Sequence, residues 1–548
     1  MKTSLDLIKN LSIERKKIQD FQPEKALDYI LNHKDNVALI HSFPEEDFYF
    51  LIKEIGIEDS LPLLSLASYK QWDYIIDTFV WKKSQIDIYN ITHLFYILLK
   101  ADPDRFINWF LKEENIEFVE LYIFRNVEVK IREHDQDPSD FSDDFQTIDD
   151  VFYYRLKDVS IDVSESNIIK EERDEFLTHF LKKLSSYDHS KYHNVLLESD
   201  SIIPSEIEEK CYRFRNVRLS EKGFLPFEEA IGVYQPLKVE DIIKMGKKIL
   251  LKRNKEDFLP VPLYPIFSLD KENNLFVNIL KKLANNEYIN DIQIEFANLS
   301  NQIVVADQFK VENRDDLKKI VAKSSGFINI ALEFLSFNSS SEKLEDVVLN
   351  YPLLNLFRVG YGIILELKNK CLSWKNKSFF YNNNLSLSFW GEHWVGVLGG
   401  LFLKRPLFFD NYKRGVLYRE FLSMFDIQNT ESILNEIIAF DELLSKINIV
   451  PKNIPNKLLT YKNFILTLWA RYELNLSHEF IPIPLDNFRK LSLYNRNADF
   501  LNWLSKITDI SQKTDNVVKN LFNEIETEYG KVSKDNLDSR FIELFWIK

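Results

Sequence analysis

The sequence predicts a predominantly α-helical protein, with α-solenoid-like stacked short helices, a helical C-terminal domain and one small β-hairpin insertion. Three observations lead there. Glycine is scarce, 13 in 548 residues, although sheet-rich folds with many tight turns draw on it for positive φ. A proline at a helix start followed by acidic residues, which complement the helix dipole, occurs three times in the first 125 residues. Apolar residues recur at i, i+3, i+4 and i+7, as in Phe48, Leu51, Ile52 and Ile55.

The proline-led starts are QPEKALDYIL at Pro23, FPEEDFYFLIKEI at Pro44 and DPDRFINWFL at Pro103, where Asp102 is the expected N-cap. Ser68 and Gln71 form a capping box. Starts near 23, 44, 58, 68, 87 and 103 give short helices with brief connections, the spacing of helix pairs in a solenoid or compact bundle. Each is too short to persist alone, so neighbours must stack. Residues 1–125 are therefore read as a helical-repeat region.

Residues 126–165 read as a β-hairpin with an acidic connection and a linker. NVEVKIR (126–132) places Val127, Val129 and Ile131 on one side of a strand, and VFYYRL (151–156) is its partner. Helical periodicity resumes over 166–255, with a stop at Gly223 and a new start at PFEEAIGVY. Pro260, Pro262 and Pro265 mark 256–268 as a proline-rich linker. Residues 269–548 form the C-terminal helical domain, with runs near 271–286, 312–337, 342–373, 389–404, 412–447, 457–474, 486–507 and 514–529. The aromatic tail FIELFWIK is expected to dock on the core.

Composition narrows the function classes. At 548 residues, 45% hydrophobic and 28% charged, the chain folds into several cores, two to four by length. A net charge of −14 argues against general nucleic-acid binding, which needs concentrated Lys and Arg. Two cysteines, Cys211 and Cys371, provide neither a disulfide framework nor a zinc knuckle and point to the cytoplasm. The N-terminus lacks a signal-peptide apolar core, and stretches such as 394–403 fall short of a bilayer, so no membrane insertion is expected.

The strings LIKEIGIEDSLPLLSLAS (51–68), RFRNVRLSEKGF (213–224) and FRVGYGIILELK (357–368) resemble blocks of an uncharacterised bacterial domain-of-unknown-function family, over most of the chain. That resemblance implies no activity, cofactor or site residue. The N-terminal part is similar, more loosely, to the superhelical cytosolic domain of magnesium transporters, whose short helices begin with the same Pro-acidic starts. What that likeness implies is cation sensing or partner binding, not transport.

Several groups could carry chemistry. Asp135, Asp137, Asp140, Asp143 and Asp144 are carboxylates suited to a hard cation, Mg²⁺ or Ca²⁺, although the spacing is not an EF-hand and a solvated acidic loop is the plainer reading. No other cofactor is predicted. His189 and His193 share a helix face and could ligate one metal, and His179 joins only if the chain folds back, but two ligands do not make a site and exposed polar histidines are the plainer reading. Arg213, Arg215 and Arg218 do not form a basic stripe, and salt bridges are expected of them.

In the C-terminal half, LLNLFRVGYGIILEL carries only Arg358 and Glu366, about 12 Å of helical rise apart. WGEHWVGVLGG concentrates Gly391, Gly396, Gly399 and Gly400. A tight crossing of Gly396 and Gly400 on the Gly360/Gly362 helix would bring Arg358 and Glu366 near Glu392, His393, Lys404 and Arg405. The catalytic candidates are then Arg358, Glu366, Glu392 and His393, and the anion-binding candidates Lys404 and Arg405; a satisfied buried ion network is the competing reading. No nucleotide or hydrolase fingerprint accompanies them. The leading functional reading is a non-enzymatic helical scaffold or regulator with a protein partner. The alternatives are an enzyme or small-ligand sensor at the C-terminal polar cluster, and a divalent-cation-responsive regulator.

Overall fold

In the computed structural model, the structure describes residues 10–11, 13–15, 17–18, 21–82, 84–157, 166–199, 202–220, 222, 224–249, 274–309, 311, 313–338, 343–450, 459–491, 496–507, 512–529 and 542–548. The proline-rich segment 256–268 and most of the linker at 157–165 lie outside them. The protein is predominantly α with a small β insertion, and it divides into two compact units. Unit 1 comprises Met1–Val233, Ile249–Lys271 and Lys282–Ser324; unit 2 comprises Tyr234–Lys248, Glu272–Lys281 and Ser325–Lys548.

After helical residues within 10–18, unit 1 continues with helices α1 (Pro23–Leu31), α2 (Asn36–His41), α3 (Glu45–Ile55), α4 (Leu61–Leu66) and α5 (Tyr69–Phe79). Pro23 opens its helix as expected, whereas Pro44 is itself the cap and its helix starts at Glu45. The Ser68/Gln71 capping box is present. Next come the short pair β1 (Trp81–Lys82) and β2 (Gln85–Ile86), then α6 (Ile88–Ala101), α7 (Pro103–Phe110), capped by Asp102, and α8 (Glu113–Asn126). The α2 helix and the β1/β2 turn are additions to the sequence reading, both too short to show a period.

The inserted sheet follows. β3 (Val127–Ile131) pairs antiparallel with β5 (Phe152–Leu156), Val129 opposite Tyr154, and β4 (Gln146–Thr147) adds to the other edge of β5. The long helix α9 (Ser166–Tyr187) then packs along α6, followed by α10 (His189–Ser199) and α11 (Pro204–Ser220). Phe95 of α6 lies at the centre of the core. Its ring contacts Phe106, Trp109, Phe118, Tyr122 and Phe176 at centroid distances of 5.4, 6.1, 5.8, 5.4 and 5.7 Å. Of the arginines of α11, two make the expected ion pairs: Arg218 holds both oxygens of buried Asp77 at 2.7 Å, and Arg213 pairs with Glu209, whereas Arg215 donates to the Asp77 backbone carbonyl at 2.7 Å and lies over the Trp81 ring. Helix α12 (Ile289–Asp307), which the sequence reading did not assign, follows, with Asn301 donating to the Lys222 carbonyl at 2.7 Å, and the first half of the next helix, as far as Ser324, also belongs to this unit.

Helix α13 (Arg314–Asn338) contributes its second half to unit 2. Among the described residues its 315–337 stretch is the single helix long and apolar enough to cross a membrane, and 67% of its apolar window is buried inside the protein, as in a core helix. The expected run 342–373 is broken by Pro352 into Leu344–Asn350 and α14 (Leu353–Lys375), which meet at 116°. Next are α15 (Gly391–Phe402), the hairpin β6 (Phe408–Phe409) and β7 (Tyr418–Arg419), α16 (Met424–Ile447), α17 (Tyr461–Glu473) and α18 (Gln512–Tyr529). The run expected to be helical from 412 thus starts only at Met424. Arg419 fixes the hairpin onto the start of α16 by donating to Asp410 at 2.8 Å and to both Asp426 oxygens at 2.7 and 2.8 Å. The aromatic tail docks as expected: Ile547 bridges Ile483, and the Trp546 amide donates to Thr467 Oγ1 at 2.8 Å.

Candidate functional site

Unit 2 contains a cleft of about 510 Å³ between the start of α15, the middle of α16, the start of α17 and one face of α18. Each wall has a local cause. Gly391 ends a short 3₁₀ turn with φ of 71°, a conformation that a side chain would strain, and so turns the chain from Trp390 into Glu392 and His393. The Thr460/Asn463 capping box starts α17 and places Tyr461 and Lys462 at the rim. Ile433 and Glu436 lie one turn apart on α16, and Val517, Asn520, Leu521 and Glu524 follow helical spacing on α18.

Aromatic rings make up much of the lining. Trp394 stacks on Tyr461 at 4.4 Å and 13°, Trp390 lies 5.8 Å from Trp394, and the His393 ring meets Phe409 at 5.8 Å. The indole N–H of buried Trp390 has no hydrogen-bond partner among the described residues. Three carboxylates, Glu392, Glu436 and Glu524, face one ammonium, Lys462, which both Glu524 oxygens engage at 2.7 and 2.6 Å. With His393 neutral, the lining keeps two formal negative charges. Burial raises the Glu436 pKa above the usual carboxylate range, and Glu436 has no ion pair or hydrogen bond to any described residue. Desolvation, followed by the nearby Lys413 ammonium, lowers the pKa of His393. Such a site can hold a cation against aromatic faces while a carboxylate supplies the counter-charge.

Of the sequence candidates, Glu392 and His393 line this cleft. Arg358 and Glu366 do not: Arg358 is half-buried on α14, desolvation lowering its pKa, and Glu366 is exposed. Lys404 is exposed and Arg405 lies over the Tyr234 ring at 3.9 Å. The glycines explain why the expected convergence does not occur. Helices α14 and α15 do touch, but a Cβ at Gly360 would overlap the Phe327 carbonyl of α13, and Cβ atoms at Gly396 and Gly400 would overlap the Phe409 ring and the Leu407 carbonyl. Each glycine admits a different neighbour. Glu436, Tyr461, Lys462 and Glu524 went unnoticed because no sequence spacing links residues on three separate helices.

In the acidic connection of unit 1, Asp144 pairs with Arg155 at 2.6 Å, and Asp137 accepts from the Ser139 amide at 2.9 Å and hydroxyl at 2.8 Å, contacts that lower its pKa. Asp135, Asp140 and Asp143 are exposed. His189 and His193 share one face of α10 as the spacing predicts, and the group that meets them is Asp149, with His179 elsewhere.

No curated protein and no solved structure matches the chain. Residues 7–548 match the model of a family described as "Family of unknown function (DUF6178)". That match spans nearly the whole chain and agrees with the resemblance in the blocks at 51–68, 213–224 and 357–368; the likeness to the transporter superhelix gains no support from it. The chain belongs to this family of unknown function.

Proposed function

We propose that the protein is a small-ligand sensor whose unit 2 cleft binds a small organic cation, an alkylammonium or guanidinium group. The observation that supports this most is Glu436, a half-buried carboxylate without a cationic partner among the described residues, beside the rings of Trp390, Trp394 and Tyr461. An aromatic face contributes roughly 0.5–2 kcal/mol to a cation, and a partly desolvated carboxylate adds to it.

Calorimetric titration with tetramethylammonium and guanidinium, against neutral tert-butanol, tests the reading. The cations bind and the alcohol does not, and Glu436→Gln weakens the cations about tenfold. Because Glu436 must be ionised to hold a cation, affinity falls on acidification through its raised pKa. Equal binding of cation and alcohol, or an unchanged affinity in Glu436→Gln, removes the proposal.

A protein partner is the second reading, favoured by Phe214 and Val217, one turn apart on α11 and 42% and 62% exposed. A helical scaffold that docks a partner there loses it on Val217→Glu. The buried thiols Cys211 and Cys371 support a reducing, cytoplasmic setting. Response to Mg²⁺ or Ca²⁺ through the acidic connection draws less support, since Ser139 and Arg155 already engage Asp137 and Asp144.

A further inference from the structure

Asp149 lies in the turn that leads into β5. Its Oδ1 accepts from the amides of Val151 and Phe152 at 3.0 and 2.9 Å, which holds the carboxylate in place and leaves Oδ2 to face α10. There Oδ2 meets His193 Nε2 at 2.6 Å and His189 Nε2 at 3.9 Å. One ligand atom from each of the three residues lies within 4.8 Å of the other two. The imidazoles are one helical turn apart, the i, i+4 spacing at which two histidines can grip one ion.

The surroundings are those of a built site. The Asp149 side chain is 6% exposed, that of His193 33% and that of His189 54%, so the carboxylate is sheltered while the histidine edge stays open to an entering ion. Ser185 Oγ lies 3.2 Å from His189 Nδ1. A proton on Nδ1 donated to that hydroxyl leaves the Nε2 lone pair toward Asp149, the orienting role an outer hydrogen bond plays for a metal-binding imidazole. Phe152 packs against the His193 ring at 4.8 Å. Tyr192, next to His193 in sequence, is fully buried, its ring 5.9 Å from that of His189 and 5.7 Å from that of His193, and its hydroxyl has no hydrogen-bond partner among the described residues.

We propose that Asp149, His189 and His193 form a binding site for one borderline divalent metal ion of the Zn²⁺ class, with a fourth position open to water. Two imidazoles and one carboxylate suit zinc better than magnesium or calcium, which prefer oxygen-only shells. Nitrogen and oxygen ligands sit about 2.0–2.2 Å from zinc, so the present direct Asp149–His193 contact opens by a small side-chain rotation to admit the ion. The bound ion ties the inserted sheet to α10, two elements otherwise distant in sequence. The site shares no residue with the unit 2 cleft, and the proposal does not rest on that cleft.

Titration of the full chain with Zn²⁺ alone, followed by calorimetry, and with Co²⁺, followed by visible absorption, tests the site. One ion binds per chain, and Co²⁺ gives the d–d bands of a four-coordinate centre. His193→Ala and His189→Ala each weaken binding by at least ~100-fold, while Asp144→Asn on the neighbouring connection leaves it unchanged. His189 is half exposed, so its variant retains the fold, which circular dichroism verifies. Absence of stoichiometric binding, or binding that survives both histidine variants, overturns the proposal.

Discussion

Two aromatic clusters occupy the two units, and they do opposite things with the same residue types. Around Phe95 in unit 1, rings meet rings on every side, and the one hydroxyl among its ring neighbours, that of Tyr122, is taken by Thr92 at 2.9 Å. Around Tyr461 in unit 2, the rings stop at a cleft where carboxylates outnumber ammonium groups. Aromatic content alone therefore marks a core. On the proposed reading, what distinguishes the second cluster is the charge at its edge, a half-buried carboxylate without a cationic partner among the described residues.

The largest effect that tests this contrast is in the closed cluster. Phe95 is fully buried, and Phe95→Ala removes a ring from among five others, a loss of about 4 kcal/mol read by urea unfolding. Cation affinity at the unit 2 cleft, measured on the folded variant, stays the same. A fall in that affinity would mean that the two clusters are not independent.

Within unit 2 close backbone packing can be broken at residues that do not line the cleft. Gly360→Ala forces a methyl group into the Phe327 carbonyl, backbone that has no flexible end to yield, and destabilises by about 3 kcal/mol. Full stability in this variant would show that α13 and α14 are less closely apposed than the glycine implies.

Paired buried carboxylates give a third test, smaller and with a sign. At Asp410 desolvation opposes ionisation, but the Arg419 guanidinium and the Arg414 amide prevail and hold the pKa below the usual range. Its stabilisation is present above the unfolded carboxylate pKa and is lost as pH falls through the folded one. At Asp77 desolvation outweighs Arg218 and the pKa is raised, so its contribution turns unfavourable as pH rises past the unfolded value and is relieved on acidification. Stability–pH curves of Asp410→Asn and Asp77→Asn should therefore depart from the parent curve in opposite directions below neutrality. Departure in the same direction would contradict the assigned balance of burial against pairing.

Much of the helical scaffold was legible because helix starts are local chemistry. The Ser68/Gln71 box, the Asp102 cap and the proline at position 23 each act within one turn of chain. The inserted sheet was legible from the alternation of Val127, Val129 and Ile131. The sites were not, because their members are far apart in sequence. Asp149 is one carboxylate among many in an acidic stretch, and only the turn into β5 and its two amide hydrogen bonds single it out. The glycines of α14 and α15 were rightly read as close approaches, but which neighbour approaches is a tertiary fact that spacing along one helix does not carry.

The smallest effect separates the carboxylates of the cleft from each other. Glu392 is exposed on the first turn of α15, whereas Glu436 is half-buried on α16. Solvent and salt screen the first far more than the second, since exposed charges interact across a high dielectric with a Debye length of about 10 Å at 0.1 M salt. Glu392→Gln should then weaken tetramethylammonium binding only about twofold at low salt, and the difference should vanish near ~0.5 M, while the tenfold effect of Glu436→Gln largely persists. Equal salt dependence of the two variants would place both carboxylates in the solvated rim, and the aromatic faces alone would then have to account for the selectivity for cations over the neutral alcohol.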